Sequence, residues 1–411
     1  MTNIILAPGR AQYTPALQPT FIRGAARNAV HSRALPGGLT AGDLDILDPA
    51  NPHLHAPFVL MSWGPFIRRQ ACAIGGIIDA RDRTRTTVIG DSGGFQFIGT
   101  PALFNGRETV LRNLGWAEHN CDLAMTMDIP TRAIGRGRWE TFDDCLAVTE
   151  ANLRTTLDHR SAQSLRFLNV LQGRDWVEAD RWFEAVRQYS FEGWAFGGAA
   201  RELPIMLRLI ARMVKHGVVG HHLHVLGTSS LSRAVELSAL KAALHAVGYP
   251  VEITFDTATP SILAANNQIV SWMDRKRLTA DMMKLDVGHS LIGSTLPFPV
   301  DETAIGKLTM GDLMVRGGLA QSAVDGLSHL LLTHHNIHQL MRLMEQANRL
   351  ADLPDRTLPI LPKTLVQRLR TIEGFLTKQD PEGRVRTDLG CSRDTDLEDE
   401  WEEDVLPDLP T

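Results

Sequence analysis

The sequence predicts an α/β protein built on a (β/α)8 TIM barrel, with an N-terminal wrap, a C-terminal helical appendage and an acidic disordered tail. Three observations predict it. Short apolar runs alternate with longer stretches of helical character, as βαβ units around a parallel sheet do. Glycines and polar residues recur where those runs end, as on the working face of such a barrel. The chain of 411 residues can bury a full barrel core and still carry an appendage of roughly a hundred residues. An open doubly wound sheet is the rival arrangement, and it would seat a ligand at the same strand ends.

Residues 1–56 are rich in Pro, Ala, Gly and Arg and read as an extension wrapped around the barrel, which is assigned to 57–350. Phe58–Ser62 is the first strand and Thr87–Gly90 the second. Leu123–Asp128, Arg166–Leu171, Trp194–Phe196, His222–Leu226 and Val251–Phe255 follow. Helical stretches lie between them at Phe142–Asp158, Trp176–Tyr189, Pro204–His216 and Ser232–Val247. That makes seven strands; the eighth is either Ala73–Ile78 or Asn3–Leu6. Ala320–Leu350 reads as a long helix or helix pair that closes the barrel. Residues 351–380 form a further helical segment entered through Pro354, Pro359 and Pro362. Residues 381–411 are an acidic tail, with nine carboxylates from Asp394 to Asp408 and no Lys or Arg beyond Arg393.

Composition narrows the class. A hydrophobic content of 44% with 22% charged residues is that of a soluble globular chain. No run approaches the roughly 18 apolar residues of a membrane span. Met1–Arg10 lacks the charged-then-apolar pattern of a secretion signal. Cys72, Cys121, Cys145 and Cys391 have neither disulfide nor metal spacing. The expectation is a reduced, cytoplasmic protein with no metal and no cofactor. Net charge is −5, which by itself mildly opposes nucleic acid, but the tail carries the acid and the remainder is weakly basic. Three basic clusters stand out: Arg81, Arg83 and Arg85; Arg132, Arg136 and Arg138; and Arg275, Lys276 and Arg277. The second, just past Asp128, is either a solvated loop or a grip on phosphates, for which Arg forks are suited, and the third is a further candidate for backbone contact.

The strand ends carry the chemistry. Asp91-Ser92-Gly93-Gly94-Phe95-Gln96 sets a carboxylate at a strand mouth, then two glycines that let backbone approach a ligand, then a ring able to lie on a planar group. Asp128, Gln172-Gly173, Gly197-Gly198, Gly227 and Asp256 close five further strands. A purine-like base offers donors on its N1/N2 edge and an acceptor at O6. An Asp can accept from the first, while Gln and a backbone amide can donate to the second. Another Asp can attack the anomeric carbon as the base departs and form a glycosyl ester. Each residue also has a plain structural use: Asp91 or Asp128 as a helix cap, Gln172 as a backbone partner, Gly197-Gly198 as a turn.

Taken in order, these residues resemble the queuine/archaeosine tRNA-guanine transglycosylases, which are (β/α)8 barrels. Asp91-Ser92-Gly93-Gly94-Phe95-Gln96 resembles their hallmark motif, Met125–Asp128 their strand ending in a base-reading Asp, and Leu171-Gln172-Gly173 their Val-Gln-Gly. Phe196-Gly197-Gly198-Ala199, Leu226-Gly227, Phe255-Asp256 with Pro260, and His335-Asn336 continue the likeness over roughly residues 57–350. The resemblance implies Asp256 as nucleophile at C1′ and Asp91 as general acid/base. It implies that Asp128, Gln172 and the amides of Gly198 and Ala199 read the base, with Ser92 and Gly227 lining the pocket. Phe95 would stack on one face and Leu226 on the other.

Three departures qualify the likeness. The family's zinc site needs a Cys-x-Cys-x-x-Cys cluster, and no cysteine lies between Asp256 and His335. The family's arginines past the nucleophile are replaced by Ser261-Ile262-Leu263-Ala264-Ala265-Asn266-Asn267. Arg201-Glu202 follows the Gly-Gly turn one position sooner than the family's Glu, which puts contacts to the 7-substituent in doubt. Retained base chemistry with altered polymer contacts is most similar to the DpdA-type DNA-guanine transglycosylases. That branch implies exchange of guanine in DNA for 7-cyano-7-deazaguanine (preQ0), with an accessory ATP-hydrolysing partner protein, and a base flipped out of the duplex. A zinc-less enzyme acting on tRNA is the alternative. A remote one is a metal-dependent barrel hydrolase using His222, His224 and Asp256.

Overall fold

The computed structural model describes residues 6–68, 72–161, 165–317, 323–353 and 361–377. The acidic tail and the candidate strand residues 3–5 lie outside them. Eight parallel strands form one sheet: β1 (Gln12–Pro15), β2 (Phe58–Ser62), β3 (Thr87–Asp91), β4 (Leu123–Met125), β5 (Arg166–Leu171), β6 (Gly193–Phe196), β7 (His222–Val225) and β8 (Glu252–Thr257). Their order is β1-β8-β7-β6-β5-β4-β3-β2. The ends of that order meet where Leu17 N donates to Leu60 O at 2.9 Å beside a parallel bridge from Ala16 to Leu60. The sheet is a (β/α)8 barrel.

Seven strands fall where the apolar runs put them, and the eighth does not. Ile77–Ala80, which overlaps the end of the first candidate, is a short helix. The missing strand is Gln12–Pro15, taken from the segment expected only to wrap the barrel. It pairs with β8 from Gln12 opposite Thr254 to Pro15 opposite Thr257. Buried Lys241 anchors the chain leading into it, donating to Pro8 O (2.9 Å), Arg10 O (3.0 Å) and Glu252 Oε1 (2.6 Å).

The surrounding helices start where sequence signals place them. Thr141 and Asp144 form a capping box that opens Phe142–His159. Asp175 accepts from the amides of Val177 and Glu178 to open Trp176–Val186, both at 2.9 Å. Leu203–His216 and Leu231–Ala246 complete the ring on that side. The helix Lys363–Gly374 packs against Leu231–Ala246, where Arg368 Nη1 lies 3.4 Å from Glu236 Oε1. Among the described residues no helix is long and apolar enough to cross a membrane.

Between β8 and the closing helix Gly326–Ala351, the chain adds an antiparallel hairpin, β9 (Gln268–Asp274) and β10 (Thr279–Lys284). Polar side chains of the closing helix hold it. Asn336 accepts from Val270 N (2.8 Å) and donates to Pro260 O and Gln268 O (both 3.1 Å). His335 Nε2 lies 2.9 Å from Val270 O and Nδ1 2.8 Å from Thr303 Oγ1, and Gln339 donates to Ser271 O. The His335 ring is therefore fully engaged by protein, and no metal is needed to fix it.

Alternation along each strand sends every second side chain into the barrel. Midway along β2–β6 the inward residues are apolar, among them Leu60, Ile89, Leu123, Met125, Leu168, Val170 and Ala195, while Ser62 and Asp91 face in at the strand ends. On β1, β7 and β8 they are polar: Gln12, Thr14, His222, His224, Thr254 and Asp256, all buried. This one-sided polar interior places the site.

Candidate active site

Asp91 ends β3 beside Ser62, whose Oγ donates to Asp91 Oδ2 at 2.7 Å. Burial raises the Asp91 carboxyl above its ordinary 3.8; the Ser62 hydroxyl opposes this and the charge of Asp256 adds to it. The turn that follows needs its glycines. Gly93 has φ +73°, and a Cβ there would lie 2.7 Å from Gly64 N. A Cβ on Gly94 would stand 3.0 Å from Asp128 O and 3.5 Å from its Oδ1, so this turn backs directly onto Asp128.

Asp128 follows β4 and is 5% exposed. The segment carrying it is tied to the outer helix, with Asn152 Nδ2 donating to Met127 O (3.1 Å) and Ile129 N to Thr149 Oγ1 (3.0 Å). Gln172, at the end of β5, donates from Nε2 to Asp128 Oδ2 at 2.8 Å. Burial pushes the Asp128 carboxyl up to about 7; Gln172 opposes the rise, and the Asp91 charge adds to it. Gly197 and Gly198 then pack against Gln172. A Cβ on Gly197 would fall 2.8 Å from Gln172 Nε2, and one on Gly198 (φ +50°) would fall 2.8 Å from Oε1.

Asp256 ends the inward row of β8 and is 8% exposed. Its Oδ1 accepts from Gly227 N at 3.0 Å and lies 3.1 Å from His224 Nε2. Arg201 Nη1 donates to the carbonyls of Leu226 (3.4 Å) and Gly227 (3.2 Å), on the same turn. Burial lowers the Arg201 pKa, as do the charges of Arg132 and Arg233, while Asp256 raises it. Three guanidiniums thus bear on the end of the barrel that carries Asp256.

Asp91, Asp128, Gln172 and Asp256 come together at one barrel mouth, joined by the Gln172–Asp128 bond, the Gly94 contact and the mutual influence of their charges. Other residues take different positions from those expected. The Ala199 amide, expected to meet a base, already donates to Gly173 O at 2.8 Å. Gly227, expected to line the base, holds the Asp256 carboxylate instead. Leu226 packs on the apolar interior. Ser92 is buried at the turn, and the Phe95 ring is 63% exposed with the Arg132 guanidinium 5.9 Å from its centroid. Arg138 turns away to Phe104 O, and Arg136 is exposed. Arg275, Lys276 and Arg277 form the tip of the β9–β10 hairpin, where Asp274 Oδ1 takes the amides of Lys276 (2.8 Å) and Arg277 (3.2 Å). Arg81 is structural, pairing with Asp122 at 2.8 Å and with Ile78 O and Asn120 O.

The ligand trio of His222, His224 and Asp256 is not formed. Both rings turn toward Thr254 Oγ1, and among the described residues no group of three His, Cys, Asp or Glu is arranged to hold a metal ion. Sequence reasoning noticed the two histidines but not their partner. It noted Arg201 only for its spacing after the Gly-Gly turn and missed that its guanidinium holds the Leu226–Gly227 turn. No protein-family model matches the chain, and no curated protein matches it.

Proposed function

We propose that this protein is a base-exchange transglycosylase that replaces guanine in DNA with 7-cyano-7-deazaguanine through an ester between Asp256 and C1′. The observation that carries the reading is the grouping of three carboxyls, each held in a different way, at one barrel mouth. Asp256 is held through Oδ1 alone. Asp91 has a raised affinity for its proton. Asp128 is locked against Gln172 with a pKa of about 7.

Each part has a task matching its environment. Ionised Asp128 accepts from the N1–H and N2–H edge of the purine, and Gln172 and nearby amides face O6. A base lacking those groups would leave buried partners unmatched, which is how such a pocket selects. Asp256 Oδ2 attacks C1′ as the C1′–N9 bond breaks; its electron pair goes to N9, which takes the proton of Asp91. Guanine leaves and the 7-deazaguanine enters. Asp91 removes its N9 proton, N9 attacks C1′, and the ester bond breaks with its electron pair returning to Asp256. The two half-reactions balance with no oxidant, metal or nucleotide. The exposed guanidinium of Arg132 suits a phosphate flanking a flipped nucleotide.

The test offers duplex DNA, single-stranded DNA and tRNA, each carrying labelled guanine, with 7-cyano-7-deazaguanine in excess. Release of label from DNA, abolished by Asp256→Asn in a protein of unchanged circular dichroism, supports the reading. Release from tRNA alone moves the substrate to RNA. If no polymer loses label even with host lysate added, base exchange is rejected.

A further inference from the structure

Behind Asp256 the polar residues of the barrel interior form one continuous row. His222 Nε2 lies 2.7 Å from Thr254 Oγ1, and the same oxygen lies 2.7 Å from His224 Nδ1. His224 Nε2 then reaches Asp256 Oδ1 at 3.1 Å. His222 is 4% exposed, and His224 and Thr254 are 0% exposed, so water does not enter the row. A hydroxyl has one proton, so Thr254 donates to one ring and accepts from the other.

The carboxylate sets the direction. Ionised Asp256 only accepts, so His224 Nε2 carries a proton. A neutral His224 then has a bare Nδ1, which takes the Thr254 proton, and Thr254 accepts from His222 Nε2–H. That arrangement needs a neutral His222, and burial holds the His222 pKa well below its ordinary value. With His224 neutral, this is the one arrangement that satisfies every partner.

We propose that His224 is a positioning residue for Asp256, with Thr254 and His222 behind it fixing which ring nitrogen bears the proton. His224 Nε2–H and Gly227 N–H together occupy Oδ1, leaving Oδ2 as the oxygen presented to the barrel mouth. When Oδ2 bonds to carbon, Oδ1 becomes the ester carbonyl and keeps both donors. When the ester breaks, the returning charge is met by donors already in place, with no reorientation. A core polar cluster with no such role would need neither the shared hydroxyl nor a ring aimed at the carboxylate. The inference relies on the base-exchange reading for what bonds to Oδ2, not for the row itself.

The test is carried out on the full chain with ¹³C-labelled Asp carboxyls and ¹⁵N-labelled His rings. His224→Gln keeps an N–H near the Nε2 position; His224→Met removes it at similar bulk. In the native protein the ¹⁵N spectrum should show His224 protonated at Nε2 alone. The Asp256 titration should move up by about one pH unit or more in His224→Met, and much less in His224→Gln. Asp91 on β3 and Arg201 after β6 also bear on Asp256, and the neutral Tyr13 of β1 feels its charge; all three are unchanged in both variants. Exchange turnover should fall about tenfold or more in His224→Met, with polymer KM held and the acid limb of its pH profile displaced, and should recover in His224→Gln. An Asp256 titration identical in all three proteins overturns the proposal, as does a His224 ring protonated only at Nδ1. Absence of exchange on every polymer would reject the functional reading, while the carboxyl titration would still decide the role of His224.

Discussion

Asp128→Asn should make the protein more stable at neutral pH and above, by an amount the site geometry sets. The Asp128 carboxyl titrates in the unfolded chain near 3.8 and in the fold at about 7, with burial the main cause. Below 3.8 both states hold the proton, and the stability this group lends is fully present. Between 3.8 and about 7 the unfolded chain releases the proton and the fold retains it, so stability falls as pH rises. Above about 7 the loss is complete, at about 4 kcal/mol for a shift of this size. An Asn cannot ionise, and its Oδ1 still accepts from Gln172 Nε2. The variant's advantage over the native protein should therefore widen by about 3 kcal/mol between pH 5 and pH 8, a difference in which fixed effects of the substitution cancel. Urea denaturation at four pH values in that window, compared at equal m, gives the quantity directly. A gap that stays constant or narrows with rising pH would show that Asp128 is ionised in the fold throughout, and the account of its tuning would be wrong.

Purine binding should tighten as pH rises toward about 7 and release protons, because the base edge needs Asp128 ionised; calorimetry in buffers of different ionisation enthalpy reads the count. Asn336→Ala strips partners from Val270 N, Pro260 O and Gln268 O, so it should cost about 2–4 kcal/mol and speed hydrogen exchange at Val270, with the barrel strands unaffected. A strong chelator should leave the melting midpoint unchanged, since both His335 nitrogens are bound by protein; a fall on chelation would reveal a metal dependence.

Sequence legibility followed the apolar signal. The strands at Phe58, Thr87, Leu123, Arg166, Gly193, His222 and Glu252 each pair a hydrophobic run with a glycine or carboxylate at its end, and each was legible. Gln12-Tyr13-Thr14-Pro15 was not, because its inward residues are polar and Tyr13 alone packs outward among the core side chains. The strand becomes intelligible only beside Thr254 and Asp256, which are polar on the same face. The carboxylates and Gln172 could be nominated because each ends a strand. The donors that hold Asp256 could not, since His224 is 32 positions away in the chain and Gly227 acts through a backbone amide. The same limit explains Ala199, whose amide was assigned to a ligand but is paired within the fold. Nothing in a linear sequence distinguishes the two uses.

The pairing of β1 with β8 joins the first barrel strand made to the last. Residues 12–15 must wait while some 240 others are synthesised before Thr254 and Asp256 arrive beside them, and closing so long a loop carries a large entropic penalty. Asp128 and Gln172 sit on neighbouring strands and can meet early, on a half-built sheet. The carboxylate on the last barrel strand gains its setting only at ring closure. A growing chain would therefore assemble the part that grips before the part that reacts, and reactivity would be withheld until the barrel closes.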